Sequence, residues 1–491
     1  MGELDKLFAN ASGAFSHSKI ANKARKVAYG NLTCLGRHTI SGMITSGGHQ
    51  FVDWTSVYRL FSQQRVDITK LNEACLEGAI GELDDNRMIV AHMDDTIIRK
   101  TGKKVPGTSW RRDPLGPPFH TNFVWGQRFI QVSLAVPAGE AVPYGKSPGT
   151  CQSRAIPIGF HHCPTPKRPI KNATEEEFST YKEVKKQSRL SLQGAIQIQA
   201  LRKTLDRQGH HDRTLCIGVD GSYTNSTVLK DLPERTTLIG RIRKDTKLYG
   251  LPGQDSGLAG AGRKKVYGEL MPAPEQIRQS PGYPWQNVEA WAAGKGHQFD
   301  VKIIKGLKWR SAGQNHTLQL MVVRPLAYRL NAHSRLLYRK PAYLICTDNE
   351  MAPAEMLQNY IWRWEIEVNI RDQKTLIGCG QAQVRNKHSA ADVPAFASAM
   401  YAFLLLASIK AFKKNGDSKN RNLLLPRPKW YPAKKDQRFT SGDLLNHLRT
   451  ELWAKALGCG NFSGFVSHQH QTKSQGNTTN ALSSAILYSR R

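Results

Sequence analysis

Hydrophobic positions recur at helical spacing through the first 85 residues and at strand spacing after them. In "DITKLNEACLEGAIGEL", Ile68, Leu71, Cys75, Ala79 and Leu83 form one stripe, and Asp67 stands where a helix cap belongs. Upstream, "NLTCLGRHTISGMITSGG" is a short basic helical piece ending in glycines, open to two readings: a DNA-reading helix or a plain packing helix. The period then changes. "RMIVAHMDD" (Arg87 to Asp95) reads as a strand ending in two acids, and "GQRFIQVSLAVP" and "SRAIPIGFHH" as two more strands bounded by Pro and Gly. A basic, turn-rich loop, "RKTGKKVPGTSWRRDPLGPP", separates the first two. A long helical stretch from about Ala173 to Gln208 follows, then a buried strand "TLCIGVD", a short helix near Asn225 to Leu232 and a strand "TTLIGRIR". Short loops early and helical crossovers later predict a mixed sheet, antiparallel at first and parallel afterwards, with helices on both faces.

The remaining pattern divides the chain. Residues 245–341 are rich in Gly, Pro and short β runs and read as a β-rich insertion; "AYLICTD" returns to a core strand, and a helix starts near Pro353. The run "VPAFASAMYAFLLLASI" (Val393 to Ile409) is slightly short for a membrane span and contains Pro394, so it reads as a buried helix. The expected division is a helical N-terminal DNA-binding domain (1–85), a catalytic core in two parts (86–244 and 342–412) around the insertion, and a basic linker, small helix and disordered tail (413–491).

Composition sharpens this into a choice of partner. The 491 residues include 70 Lys and Arg against 39 Asp and Glu, a formal charge of +31. So large an excess repels itself and suits a polyanion; nucleic acid is the first candidate and an anionic membrane surface the second. The opening "MGELDKLFAN" is neither a signal peptide nor a myristoylation site. Eight scattered cysteines without CxxC pairs suggest reduced thiols in a cytosolic protein. "HHC" at His161 to Cys163, with Cys151 upstream, is a weak zinc suggestion. No phosphate-cradling GxxxxGK[ST] occurs.

Two groups of acids stand out against the basic background. Asp94 and Asp95 close the first strand, and Asp220 closes "TLCIGVD". Carboxylates at strand tips are held rigidly where α/β proteins place their sites, and their oxygens suit Mg²⁺ or Mn²⁺. Each Asp can equally cap a turn. Asp94 is preferred over Asp95 as the ligand, because an Asp, a spacer and a hydroxyl residue is a common strand-end arrangement; Asp95 stays open.

"YIWRWEIEVNIRDQK" (Tyr360 to Lys374) supplies a third acid. At about 100° per residue, Arg363, Glu367 and Lys374 fall near 300°, 340° and 320° from Tyr360, with Glu365 on the far side near 140°. An i, i+4 salt bridge accounts for Arg363 and Glu367, but not for Tyr360 and Lys374 sharing their face. On this face Glu367 can ligate metal while Arg363 and Lys374 hold phosphates.

Tyr360, Arg363, Glu367 and Lys374, with "MDDT", "GVDGSY" and "RIRKD" before them, resemble the YREK signature and companion blocks of DDE transposases from bacterial cut-and-paste insertion sequences. The resemblance covers about Ile89 to Gly380 and implies an α/β, RNase H-like mixed-sheet core interrupted by a β insertion. It implies that Asp94, Asp220 and Glu367 hold two Mg²⁺ ions, with Mn²⁺ as substitute. The implied steps are nicking of the element's ends, release and strand transfer into target DNA. Tyr360, Arg363 and Lys374 would grip phosphate near the transferred end. Trp309 is either a stacking partner for a flipped base or a core residue; Arg241, Arg243 and Lys244 either track DNA backbone or form a solvated face. Expected partners are double-stranded DNA and a second copy, as a homodimer on DNA, in the bacterial cytoplasm at the nucleoid. The alternatives are a catalytically inactive DNA-binding protein of that fold and a structure-specific nuclease.

Overall fold

The computed structural model describes residues 2–51, 53–85, 87–113, 116–117, 119–120, 122–137, 152–253, 265–292, 295–328, 334–415 and 439–456. Most of the basic linker and all of the tail expected to be disordered lie outside these, as do Cys151 and Cys459.

The N-terminal region is helical as its periodicity predicts: α1 (Gly2–Asn10), a 3₁₀ turn (Ala11–Ala14), α2 (Ser18–Thr33), α3 (Ile40–Ser46), α4 (Thr55–Ser62) and α5 (Ile68–Ile80). The Asp67 carboxylate accepts the Lys70 N–H at 3.1 Å and caps α5, whose Leu71, Cys75 and Ala79 are fully buried. In the basic helical piece, α3 buries Ile40, Met43 and Ile44. Its approach to α2 depends on Gly30, where a Cβ would stand 1.9 Å from the Met43 carbonyl oxygen.

The sheet elements follow: β1 (Ile89–Arg99), β2 (Ser109–Arg112), β3 (Phe123–Pro137) and β4 (Ser153–His162), then α6 (Glu175–Gln187) and α7 (Leu190–Arg207), β5 (Leu215–Val219), α8 (Ser226–Lys230) and β6 (Thr236–Arg241). The stretch read as one long helix is thus two, broken at Ser188 and Arg189. After α9 (Pro274–Gln279) come β7 (Gln286–Ala292), β8 (Lys295–Trp309), β9 (Gly313–Val323), β10 (Ala327–Tyr328), β11 (Leu337–Tyr338) and β12 (Ala342–Cys346). The chain then runs through α10 (Pro353–Ile361), α11 (Trp364–Thr375), α12 (Lys387–Asn415) and α13 (Ser441–Ala456).

The strands form one mixed ten-stranded sheet in the order β2-β3-β1-β5-β6-β12-β9-β8-β7, with β4 also on β3. β1, β5 and β6 are parallel neighbours; β1–β3 and β3–β4 are antiparallel, as the loop lengths predict. Strands β7 to β9, from the stretch read as an insertion, extend this same sheet through β12. β1 is also longer than its sequence suggests. It continues to Arg99, so Asp94 and Asp95 lie inside it rather than at its tip. Two adjacent acids look like a strand end, but pairing with β3 carries the strand past them.

Helix α12 has the length and apolarity to cross a membrane, yet it is buried within the protein. The N-terminal helices supply much of its cover: Phe8 meets Phe403, and Phe61 meets Phe396, each edge-on at 5.4 Å between centroids. Each such buried ring stabilises the fold by roughly 1.5–3 kcal/mol.

Candidate active site

The register of β1 and β5 sets two acids side by side. Their parallel pairing ends at Met93 opposite Val219, so Asp94 and Asp220 are the next residues on neighbouring strands. Asp94 is largely buried. Burial, opposed by Arg363 and assisted by the repulsion of Asp220, pushes its carboxyl up to about 6. Asp220 accepts from the Ser222 N–H at 2.9 Å and the Ser222 hydroxyl at 3.2 Å, so it also closes a local turn.

Pleating separates the two adjacent acids of β1, because successive side chains take opposite faces. Asp94 shares the α11 face: Arg363 Nη1 donates to its Oδ2 at 3.0 Å, and Arg363 Nη2 to Glu367 Oε1 at 2.8 Å. One guanidinium thus bridges the β1 acid and the helix acid. Asp95 meets Arg128 at 3.3 Å and accepts from the Tyr223 hydroxyl at 3.3 Å. Its carboxyl is also raised, by burial first, and its partners are different ones.

The helix carrying the third acid is not continuous. Residues 362 and 363 form a turn between α10 and α11, with Arg363 N–H bonding the Tyr360 carbonyl three residues back and Ile366 N–H bonding that of Arg363. The uniform 100° step therefore does not hold across Tyr360 to Lys374. The local arrangement still puts the Arg363 guanidinium over the Tyr360 ring, 5.8 Å from its centroid. Burial raises the Tyr360 phenol, with Arg363 and Arg241 as the nearby cations. Lys374, three turns further along α11, is exposed and lies within electrostatic reach of Arg99 and Asp113.

Polar ties hold α10 and α11 against the sheet. Gln373 Nε2 donates to Gln131 Oε1 at 2.7 Å, and Gln131 Nε2 to Asn369 Oδ1 at 3.3 Å. His92 Nε2 and the Asn359 carbonyl are 2.8 Å apart. Beyond α11, the buried Lys100 ammonium donates to the carbonyls of Gly380 (2.7 Å) and Ala382 (2.9 Å). Sequence reading missed these positioning residues; a glutamine at a fully buried position in "FIQVSLAVP" was the available signal. It also passed over Trp364, 61% exposed beside Arg363.

The other candidates fall elsewhere. Arg243 pairs with Asp245 at 2.8 Å, and both line a cleft of about 620 Å³ with Lys247, Tyr249, Trp309 and Arg310. Trp309 is half-buried, packed on the core and open to this cleft. Lys244 is exposed, and its carbonyl caps the Glu275 N–H. His161 and His162 take successive positions of β4, where burial lowers both to about 4; Cys163 is a buried free thiol.

Among the described residues, no group of three His, Cys, Asp or Glu side chains is drawn together closely enough to hold a metal ion. The chemistry of the donors nevertheless fits one. Asp94 and Asp220 are hard oxygen donors that repel each other, and a guanidinium stands among the acids as their counter-cation.

Residues 12–311 match the family described as DDE superfamily endonuclease. The match takes in Asp94, Asp95 and Asp220 and ends before α10 and α11. No curated protein matches the chain.

Proposed function

This chain belongs to the DDE superfamily endonucleases, and from that premise we propose that it is a DNA transposase that cuts the ends of a mobile element and joins them to target DNA. The observation that carries the reading is the Arg363 bridge from Asp94 to Glu367, beside Asp220. Binding alone gives a protein of charge +31 no reason to gather buried acids.

In this reading the central sheet is an RNase H-like core, and Asp94, Asp220 and Glu367 hold two Mg²⁺ ions, or Mn²⁺. Bound metal would supply activation of a water or 3′-hydroxyl and charge neutralisation at the leaving oxygen. The chain's own part is positioning. Arg363 turns from the carboxylates to a DNA phosphate, for which its planar fork is suited. Tyr360 backs it, Arg241 stands at the same edge, and Lys374 takes a phosphate further along the strand. Asp95 keeps its structural place with Arg128 and Tyr223. The cleft at Trp309 has the aromatic face and cations to receive an extrahelical base. The chain would work as a homodimer on double-stranded DNA at the bacterial nucleoid, since two ends must be cut in concert.

The test is Mg²⁺-dependent cleavage of the chain's own flanking DNA. Asp94→Ala, Asp220→Ala and Glu367→Ala should each lose cutting by a factor of at least about 10² while still shifting DNA in a gel. Asp95→Asn should bind and cut. Full activity in all three alanine variants would dismiss the site.

A further inference from the structure

The β2–β3 ribbon carries an exposed aromatic surface that the chemistry above does not use. Trp110 is 65% exposed and Phe123 59%. Strand pairing sets Trp110 opposite Trp125 and Arg112 opposite Phe123, and directly paired residues share a face. Trp110 and Trp125 meet edge-to-face, with centroids 5.5 Å apart, and the Trp125 indole N–H donates to the Gly102 carbonyl at 3.3 Å. Trp125 is thereby anchored while Trp110 stays open to solvent.

The ribbon and the carboxylate site share one face of the sheet, linked through the buried Gln127, Phe129 and Gln131. Along β3 the alternation runs from Trp125 through Gln127 and Phe129 to Gln131, which pairs with Asp94. The aromatic ribbon and Asp94 therefore lie on the same face of the sheet, the face that carries α11. Lys374 on α11 lies within electrostatic reach of Arg99 at the end of β1. Scattered single hydrophobic residues on a surface need no explanation, but paired aromatics on one ribbon do.

We propose that this ribbon is a stacking platform for unpaired nucleotides, receiving a single DNA strand that leads into or out of the Asp94 site. The proposal rests on the nuclease reading for that site and adds the form of DNA it holds. Duplex DNA hides its base faces, so exposed rings gain little from it, whereas a single strand offers a π-face at every base. The Arg112 cation on the same ribbon face favours a phosphate chain over an apolar protein partner. Arg112 makes no ion pair among the described residues and sits opposite Phe123, placed to pair with a phosphate or stack on a base.

The experiment compares a blunt DNA duplex with the same duplex carrying an oligothymidine tail, by fluorescence anisotropy of the full chain at one salt concentration. Trp110→Ala and Phe123→Ala should each weaken binding of the tailed duplex about tenfold and leave the blunt duplex nearly unchanged. Trp110→Phe, which keeps a stacking face, should recover most of the loss. Both side chains are exposed, so an unchanged melting temperature should accompany the effect. Equal losses on the two DNAs, or none, would overturn the platform. So would a Trp110→Ala variant whose only change is in the sedimentation of the DNA-free protein, which would assign the ribbon to a second copy of the chain. Metal-dependent cutting is read separately. Tail preference through Trp110 without any cutting keeps the platform and removes the nuclease reading, and cutting without tail preference does the reverse.

Discussion

Arg363 concentrates the electrostatics of the site in one side chain. Its own side chain is 14% exposed and that of Asp94 18%, so the pair is shielded, while Glu367 at 36% is partly solvated. A shielded carboxylate that loses its paired cation keeps its desolvation cost and the repulsion of its neighbour. Arg363→Gln should therefore cost about 2–4 kcal/mol of stability in the metal-free protein, almost all of it through Asp94. A divalent cation can take over the guanidinium's role, so Mn²⁺ should raise the melting temperature of Arg363→Gln more than that of the wild type. Thermal melts with EDTA and with Mn²⁺ check both halves. An unchanged melting temperature in EDTA would mean that the bridge stabilises nothing. An equal response to Mn²⁺ would mean that the cation does not bind where Arg363 stood.

The helices and strands around the site are held by junctions that fall far apart in sequence. The turn after α11 packs on the loop between α2 and α3. There Gly378 adopts φ +66, and a Cβ on it would stand 2.5 Å from that of His38. The His38 N–H donates to Gln381 Oε1 at 2.7 Å, and Asn31 Nδ2 to the Ile377 carbonyl at 3.2 Å. Burial, with Arg449 nearby, lowers the His38 imidazole to about 4. The unfolded chain takes up this proton below about pH 6.5, whereas the folded chain does so only near 4. Stability is thus lost as pH falls through this window, by about 2 kcal/mol for this one group at pH 5. Denaturant titrations of His38→Leu at pH 8 and pH 5 should show the variant gaining about that much on the wild type at the lower pH. Parallel curves would place the acid sensitivity elsewhere. Such junctions also mark where the sequence stops being legible. Periodicity is a local signal, and it located α5, β3, β4, β5 and the buried α12. It could not see the break at Trp362 and Arg363, because both residues keep near-helical dihedrals. Nor could it see that β7 to β9 extend the main sheet, because strand pairing links residues far apart in the chain. Asp94, Asp220 and Glu367 were readable as candidates from spacing and context. The separation of Asp94 from Asp95 was not readable, because it depends on β1 continuing past both.

At the scale of the whole molecule, the N-terminal helices and the site cannot be separated as their place in the chain suggests. Residues 1–85 read as a helical DNA-binding domain, distinct along the chain from the catalytic core. In the fold they share one hydrophobic core with α12: Leu4, Leu7, Phe8, Leu60, Phe61, Leu71 and Leu76 are buried in the same cluster as Phe396, Met400, Phe403 and Leu406. Helix α12 is in turn seated on β4, and Gln127 Nε2 of β3 donates to its Ala390 carbonyl at 3.1 Å. Removing residues 1–85 would bare an apolar helix face whose cover includes at least seven large side chains. At roughly 1.5–3 kcal/mol each, this comes to about 10–20 kcal/mol, as large as the 5–15 kcal/mol by which whole domains are usually stable. A chain starting at Asn86 should therefore lose its cooperative thermal transition, bind a hydrophobic dye and lose metal-dependent cutting and DNA binding together. A detachable module predicts a different outcome: a folded remnant that melts cooperatively and still cuts DNA, with weakened binding. Calorimetry and dye binding on the truncated chain distinguish the two. A sharp transition in the remnant would show that α12 can be covered without the N-terminal helices and would restore the separable domain.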